Sequence, residues 1–544
     1  MIAALAWFAC SGSGTVPQPG LEPVQIRVDY GSEKKAWLED AIARFEAANP
    51  TLPSGRPIDV VTRSLGSGEA VADIAAGRSQ PHVFSPASSA YLSLLDDQWL
   101  SVPGHTKPLA GAAEPIVLSP VVIALWRPMA EALGWPDRPV SWADLLTIAQ
   151  DPAGWGAHGH PEWGRFKLAH TDPRLSNSGL LAVLSETYAA VHLTRGLTAE
   201  SLAAAEPFVA SVEASLVHYG KSTGFVHDKM LERGPSYVSA VVSYENLVVD
   251  AYKTARPPAE QIVAIYPTEG TFWSDHPFAI LDAPWVEADE RAAAVQLEQF
   301  LRSNPIQSSA LAFGFRPADA AIPVGAPIDA AHGVDPTQPR TLLEVPDAPT
   351  LRAVLALWER TKKTSDVVLV LDKSGSMRGD PLVEAKRGAG TFLTTLGDRD
   401  TVSLLFFDSQ VAEPTPPVAL GGGGRDAMTA RIDGAIASGG TALYDAVGAA
   451  FRTASVRALA EPGRIHAVVV MTDGRDEHST TRLDQLLGAL ATDDEAPVKV
   501  FTIAYGASAD PTVLGQIADA GKGASATGDP TDIAAVFVDM AAFF

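Results

Sequence analysis

This chain of 544 residues repeats one pattern several times. A short apolar strand ends in a small, hydroxyl-rich loop, and the loop leads into a helix. Residues 24–28 alternate apolar and polar side chains as a strand does, and residues 37–45 carry apolar side chains at helical spacing. The same order of strand, loop and helix returns at residues 58–76 and again from residue 81. This alternation predicts an α/β fold with a mostly parallel sheet covered by helices.

Composition and charge narrow the classes of protein to which the chain can belong. Hydrophobic residues make up 46% and charged residues 19%, which is typical of chains that bury real cores. A formal net charge of −23 argues against a nucleic-acid binder, because such proteins displace phosphate counterions with basic surface. The same charge argues against general adhesion to anionic membranes.

The N-terminus contains the single cysteine of the chain, Cys10, directly after a short apolar run. One cysteine allows neither an intrachain disulfide nor a cysteine-based zinc cluster. The run followed by a small polar stretch resembles the end of a bacterial lipoprotein signal, which would make Cys10 the lipidated residue. Residues 1–23 are then signal and tether, and the protein is a cell-envelope lipoprotein at the periplasmic or outer surface. A chance cysteine in a frayed apolar terminus is the alternative.

The last part of the chain places oxygen-bearing side chains directly after a continuous apolar strand at residues 366–371. Asp372, Ser374 and Ser376 are spaced two residues apart, so an extended turn points them to one side. Ligands bind at the carboxyl ends of strands in open α/β sheets. The spacing therefore predicts a site where one carboxylate and two hydroxyl groups converge.

Two later segments complete this set of oxygen ligands. Thr441 lies in a Gly-rich loop before a helix, and Asp473 follows another apolar strand. Two carboxylates and three hydroxyl groups suit a small hard cation that needs six oxygen ligands, so we expect Mg²⁺, with Mn²⁺ or Ca²⁺ as alternatives. Two carboxylates just balance the charge of the ion, which leaves it able to attract an acidic group of a partner.

These three motifs, in this order, resemble the von Willebrand factor A family, and the resemblance covers residues 364–544. It implies a Rossmann-like doubly wound domain with a metal-ion-dependent adhesion site. Ser374, Ser376 and Thr441 would bind the ion directly, and Asp372 and Asp473 directly or through water. The open position of the ion would accept an Asp or Glu of a partner protein.

Residues 24–345 resemble an extracellular solute-binding protein, which implies two lobes with a ligand cleft between them, and residues 346–363 are predicted as a linker helix. Small polar residues at predicted strand ends and helix starts are candidates for binding a small solute or anion. Plain helix capping is the alternative for each of them. The candidate cleft residues are Ser32, Ser67, Ser88, Asn177, Ser178, Tyr244 and Glu245. The negative charge of Glu245 would repel an anion. This residue therefore indicates that the cleft binds a cationic group or contacts a protein.

Enzymatic catalysis is not expected from the sequence. It contains no Gly-x-x-x-x-Gly-Lys-Ser/Thr phosphate loop. Asp445 is the one candidate base near the predicted ion, and a helix residue is its simpler interpretation. His158 and His160 have no carboxylate at ligand spacing, so a metal cluster with His170 is not expected.

Three functions follow from these features. The first is a non-enzymatic envelope protein whose metal site docks an acidic group of a protein partner, while its front part binds a small ligand or a partner. The second is the receptor of an ABC-type transporter with a regulatory A domain. The third, a metal-dependent hydrolase, has the least support.

Overall fold

A computed structural model describes residues 21–544 with the exception of 112, 255, 258–259, 492–497, 530–531 and 542. The predicted lipidation site Cys10 and most of the predicted tether lie outside the described residues. The strands are β1 (Val24–Gly31), β2 (Ile58–Leu65), β3 (Val83–Ser85), β4 (Val117–Trp126), β5 (Leu168–Ala169), β6 (Leu216–His218), β7 (Ala240–Tyr244), β8 (Ile262–Ile265), β9 (Trp273–Ser274), β10 (Ala279–Ile280), β11 (Arg316–Pro317), β12 (Ser365–Asp372), β13 (Thr401–Phe407), β14 (Val418–Ala419), β15 (Ile465–Thr472), β16 (Val498–Tyr505) and β17 (Lys522–Gly528).

Most strands are followed by α-helices, as the alternation in the sequence predicts, although β8, β9 and β10 follow one another directly, as do β13 and β14. They are α1 (Lys35–Ala47), α2 (Ser67–Ala75), α3 (Ala90–Leu100), α4 (Arg127–Ala132), α5 (Trp142–Gln150), α6 (Asn177–Val191), α7 (Ala199–Ala214), α8 (Thr223–Arg233), α9 (Glu245–Asp250), α10 (Ala288–Leu301), α11 (Asn304–Ala310), α12 (Ala348–Thr361), α13 (Asp380–Thr395), α14 (Gly424–Asp433), α15 (Leu443–Ala460), α16 (Leu483–Leu490), α17 (Pro511–Ala520) and α18 (Ile533–Ala541). Among the described residues, no helix has both the length and the apolar character needed to cross a membrane.

The first lobe is built on a four-stranded sheet in the order β10-β3-β1-β2. β1 pairs in parallel with β2 and β3, whereas β10 returns later in the chain and pairs antiparallel with β3. Ile26 and Val28 of β1 pack in one core with Trp37 of α1 and Leu297 of α10. Helices from two distant parts of the chain therefore cover this sheet.

The second lobe is built on a seven-stranded sheet with the path β11-β4-β7-β5-β6, to which β8 and β9 add by pairing with β4. β4 is antiparallel to β7, and β5 is parallel to both β6 and β7. α6 lies deep in this lobe, because every residue from Asn177 to Ala189 is buried. The front part thus has two α/β lobes, as predicted. The second sheet is not mostly parallel, however, because β4 pairs antiparallel with β7, β8, β9 and β11.

The third sheet has six strands in the order β14-β13-β12-β15-β16-β17. All of its pairings are parallel except that of β14 with β13. Every residue of β12 and of β15 is buried, which explains why both strands read as continuous apolar runs in the sequence. This is the Rossmann-like doubly wound arrangement that the sequence predicts for residues 364–544.

α12 connects the second lobe to the third sheet and packs against α7. Its Trp358 donates a hydrogen bond from Nε1 to Glu213 Oε2 over 3.1 Å. Beyond the helix, Arg233 of α8 forms an ion pair with Asp519 of α17 at 3.0 Å, and the rings of Phe225 and Phe543 lie 5.5 Å apart. Packing, hydrogen bonding and charge pairing therefore all join the second lobe to the C-terminal domain.

Candidate metal centre and solute cleft

Two neighbouring strands of the third sheet bring the predicted metal ligands to one edge. β12 ends at Asp372, and β15 ends at Thr472, directly before Asp473. The strands are parallel, with Leu371 opposite Met471, so their carboxyl ends meet. The two aspartates therefore lie side by side although they are far apart in the sequence.

Hydrogen bonds link the side chains of this edge. The Ser374 backbone N–H donates to Asp372 Oδ1 over 2.7 Å, which fixes the turn after β12. The hydroxyl oxygens of Ser374 and Ser376 lie 2.9 Å apart, and the Ser376 hydroxyl donates to Asp473 Oδ1 over 2.7 Å. Ser374 is buried and Ser376 is exposed, so the cluster opens to solvent on one side.

Thr441 reaches the same edge from the Gly-rich loop before α15. The Gly375 N–H donates to the Gly439 carbonyl over 2.9 Å, which holds this loop against the turn after β12. Gly439 has φ +71°, a backbone conformation that glycine adopts without strain. Thr441 Oγ1 lies 3.1 Å from the position that a Cβ on Gly474 would occupy, so the hydroxyl is beside the strand end at Asp473.

The electrostatics of this edge fit a cation. The pKa of Asp372 is raised to about 6, mainly by burial and also by the neighbouring charge of Asp473, against the lowering effect of hydrogen bonds from Thr472 and Ser374. Burial also raises the pKa of Asp473. Two carboxylates that share a partly buried site lack a compensating positive charge within this ligand set, so the donor chemistry fits a divalent ion.

Two residues at this edge have roles that the motif does not specify. Thr472 donates from its hydroxyl to Asp372 Oδ2 and so orients that carboxylate. Lys373 forms an ion pair with Asp408 and donates to Ser438 Oγ over 3.4 Å. Asp408 lies directly after β13, which is parallel to β12. The two strands end side by side, and this brings Asp408 close to Lys373.

Asp445 is engaged in structural contacts. Its carboxylate accepts hydrogen bonds from the backbone N–H groups of Thr480 and Thr481, over 2.8 and 3.0 Å. These bonds fix a loop against the first turn of α15, which agrees with the interpretation of Asp445 as a helix residue.

The predicted cleft residues of the first lobe have different surroundings. Ser67 is buried and accepts a hydrogen bond from the Ala87 N–H over 3.0 Å, whereas Ser88 accepts one from the Ala90 N–H over 3.2 Å. Ser32 is partly exposed, and its hydroxyl lies 3.6 Å from the Cβ position of Gly224 in the second lobe. The lobes also bond directly, because the Gly68 N–H donates to the Leu175 carbonyl over 2.9 Å.

The predicted cleft residues of the second lobe form a buried polar cluster. Asn177 donates to the Tyr244 hydroxyl over 2.9 Å and to the Ser274 hydroxyl over 3.0 Å. The Ser178 hydroxyl accepts from the Thr223 hydroxyl over 2.8 Å. Asn177 Oδ1 is buried without a hydrogen-bond partner among the described residues. The structure therefore brings Asn177, Ser178 and Tyr244 into one neighbourhood.

Glu245 has its cationic partner within the chain. Its carboxylate accepts two hydrogen bonds of 2.7 Å from Arg316, and the Tyr266 hydroxyl also donates to it. Both partners of the ion pair are buried, with side-chain exposures of 8% for Arg316 and 0% for Glu245. The sequence left open whether Glu245 meets a cationic group or contacts a protein. In the structure its charge is neutralised inside the second lobe by Arg316.

Comparison with known proteins agrees with this architecture. Residues 26–316 match the family of bacterial extracellular solute-binding proteins, and residues 366–535 match the von Willebrand factor type A domain. A von Willebrand factor type A protein from Catenulispora acidiphila is 25% identical, covering 33% of this chain and 42% of its own, with a TM-score of 0.29. A periplasmic thiamin binding protein is 15% identical, covering 64% of this chain and 99% of its own, with a TM-score of 0.44.

Two further relatives extend the comparison. The periplasmic binding protein AfuA from Actinobacillus pleuropneumoniae, with fructose-6-phosphate bound, is 15% identical over 62% of this chain and 98% of its own, with a TM-score of 0.43. An uncharacterized protein from Synechocystis sp. is 29% identical over 158 residues. That match covers 29% of this chain and 36% of the relative, so the chain spans about a third of that curated protein.

Both matching families are binding families rather than typical enzymes, and the first is extracellular, which implies an extracytoplasmic location. The first match covers more than half of the 544 residues. The chain therefore belongs to the family of bacterial extracellular solute-binding proteins and carries a von Willebrand factor type A domain after its solute-binding part.

Proposed function

We propose that the C-terminal domain binds one divalent cation, Mg²⁺ or else Mn²⁺ or Ca²⁺, and uses it to dock an acidic group of a protein partner. The ligands are Asp372, Ser374, Ser376, Thr441 and Asp473. The observation that carries this proposal is the linked set of hydroxyl and carboxylate oxygens that runs from Ser374 through Ser376 to Asp473. The ion would supply a positive centre at an edge where two carboxylates have raised pKa values.

The acidic nature of the partner group follows from charge and exposure. Two carboxylates neutralise a divalent ion without reversing its charge, so the ion still attracts a carboxylate from outside. Ser376 is exposed, which leaves the edge open to an approaching side chain. A partner Asp or Glu would provide both the oxygen and the negative charge.

The front domain binds a small polar ligand or a partner between its lobes. Support comes from two buried atoms, Asn177 Oδ1 and His276 Nε2, that have no hydrogen-bond partner among the described residues. Tyr244 links them, because its hydroxyl bonds to Asn177 over 2.9 Å and its ring lies 6.1 Å from that of His276.

Lipidation at Cys10 would hold both domains at the cell envelope.

The main alternative is a receptor of an ABC-type transporter with a regulatory A domain. In that case the cleft binds its solute tightly whether or not the metal site is filled. A hydrolase has less support, because the carboxylate of Asp445, its one candidate base, is held by Thr480 and Thr481.

Millimolar Mg²⁺ should raise the melting temperature of the full chain, because an ion that binds only the folded state stabilises it by mass action. At a hundred times the dissociation constant the gain is about 2.7 kcal/mol, which corresponds to a shift of a few degrees in a domain of this size. Ser374→Ala/Ser376→Ala removes two of the ligands and should abolish the shift. Melting followed by circular dichroism with and without Mg²⁺ measures this effect.

Ser438→Ala is the matched control, because this hydroxyl lies near the site but bonds to Asp408 over 3.0 Å. The control should keep the Mg²⁺ shift of the wild type. An equal shift in the wild type and in the double variant would place the ion elsewhere and would refute the proposed ligand set.

A further inference from the structure

A second group of potential metal ligands lies inside the second lobe, away from the metal centre of the A domain. It consists of His170 after β5, Glu186 on α6 and Glu213 on α7. One ligand atom from each residue lies within 4.8 Å of the other two, and all three side chains are buried. The three come from separate elements, so their convergence is a product of the fold.

The imidazole of His170 is oriented as it is in metal-binding histidines. Its Nδ1 lies 2.7 Å from the Thr171 carbonyl oxygen, and because a carbonyl only accepts, Nδ1 carries the proton. In the neutral ring Nε2 then presents its lone pair to Glu213 Oε1 at 3.0 Å. Nε2 and Oε1 are then both hydrogen-bond acceptors. They lie this close together only if a cation sits between them or if the ring carries a second proton. Histidines that ligate metals usually donate their other N–H to a carbonyl or carboxylate in this way.

Glu186 provides a second, independent indication. Both of its carboxyl oxygens are buried without a hydrogen-bond partner among the described residues, on a helix that is buried along most of its length. A buried carboxyl group without a partner is costly, and such groups usually mark a water or an ion. Burial raises the pKa of Glu186 well above its ordinary value, and the nearby charge of Glu213 raises it further.

Charge and ligand type indicate which ion fits. One neutral imidazole and two carboxylates sum to two negative charges, which a divalent cation neutralises inside the lobe. Imidazole nitrogen combined with carboxylate oxygen suits Zn²⁺ better than Mg²⁺, which prefers oxygen alone. Zn²⁺ binds such atoms at about 2.1 Å, so ligand atoms lie at most about 4.2 Å apart, and small side-chain movements suffice.

The location gives such an ion a structural role. The other oxygen of Glu213 accepts hydrogen bonds from the Tyr219 hydroxyl over 2.6 Å and from Trp358 Nε1 over 3.1 Å. Trp358 belongs to α12, the helix that connects the second lobe to the A domain. An ion on Glu213 would therefore fix the carboxylate that anchors this helix.

We propose that His170, Glu186 and Glu213 form a buried Zn²⁺ site that anchors α12 to the second lobe. This proposal is independent of the Mg²⁺ site. Its test uses the full chain with Ser374→Ala/Ser376→Ala as background, so that the A-domain site contributes no metal. Because the cluster is closed to solvent, the protein is unfolded and refolded with excess Zn²⁺, then freed of loose metal and analysed by mass spectrometry.

The expected result is one Zn²⁺ per chain in the background protein and none after Glu186→Gln, which keeps the shape of the side chain. Glu206→Gln is the matched control, because Glu206 lies on α7 but pairs with Arg360 at the surface, and it should retain the ion. Refolding with Zn²⁺ should also raise the melting temperature of the background protein but not that of the Glu186→Gln variant.

Co²⁺ gives a readout that needs no variant at the cluster. Refolding with Co²⁺ should give visible absorption bands of the intensity typical of four- or five-coordinate Co²⁺. Two results would overturn the proposal: a refolded background protein that retains neither Zn²⁺ nor Co²⁺, or a Glu186→Gln variant that binds as much Zn²⁺ as the Glu206→Gln control. Glu186 would then be a protonated acid beside a His170–Glu213 ion pair.

Discussion

Arg316→Met is expected to destabilise the front domain by about 3–5 kcal/mol, because it leaves a buried carboxylate without its cation. Arg316 on β11 donates two hydrogen bonds of 2.7 Å to Glu245, whose side chain is fully buried at the start of α9. Urea unfolding followed by tryptophan fluorescence and circular dichroism measures the loss, as a lower midpoint of the transition that belongs to the front domain.

Two controls separate the broken pair from the loss of a long side chain. Arg360→Met removes an arginine whose pair with Glu206 is exposed, and it should cost less than about 1 kcal/mol. Adding Glu245→Gln to Arg316→Met removes the stranded charge and should recover part of the stability. If Arg316→Met unfolds at the same urea concentration as Arg360→Met, the buried pair does not have the importance assigned to it.

Trp358→Ala is expected to cost about 3–5 kcal/mol and to separate the unfolding of the second lobe from that of the A domain. The Trp358 side chain is fully buried, and its ring lies edge-on to Tyr219 with centroids 5.5 Å apart. Its indole N–H also donates to Glu213, so truncation leaves a cavity and removes one of the two hydrogen bonds to Glu213 Oε2. Scanning calorimetry of the full chain should show two more widely separated transitions than in the wild type.

Trp285→Ala provides the comparison for this experiment. Trp285 is partly buried, donates to the Pro81 carbonyl over 2.8 Å and lies far from α12 in the chain. Its loss should destabilise the first lobe without changing the spacing between the transitions of the second lobe and the A domain. A Trp358→Ala profile with the spacing of the wild type would show that Trp358 does not couple the unfolding of the second lobe to that of the A domain.

The sequence predicted the third sheet well because its strands are buried on both faces. The apolar run at residues 366–371 became β12 (Ser365–Asp372), and the run before Asp473 became β15 (Ile465–Thr472). Strand ends in a parallel sheet share one edge, so the positions of Asp372 and Asp473 could be predicted to coincide. Metal binding by these residues remains a prediction.

Side-chain contacts between distant segments of the chain could not be predicted from the pattern of apolar runs. Periodicity gives the local structure and the buried face of an element, but not which side chain meets which across the core. Nothing in the sequence near Glu245 indicates Arg316, which lies 71 residues away. His170 stands near His158 and His160 in the sequence, yet the fold places it beside Glu213 on α7. In the same way, Thr472 reaches Asp372 only because β12 and β15 are adjacent.

Counting Mn²⁺ ions by electron paramagnetic resonance shows whether the A domain binds a metal ion, since bound Mn²⁺ loses the sharp signal of the free ion. The titration uses the full chain with Glu186→Gln, so that the proposed zinc site does not contribute. We expect one Mn²⁺ per chain that Mg²⁺ displaces, and none once Ser374→Ala/Ser376→Ala is added. Equal Mn²⁺ binding with and without those two serines, or no binding in either protein, would contradict a metal centre at the ends of β12 and β15.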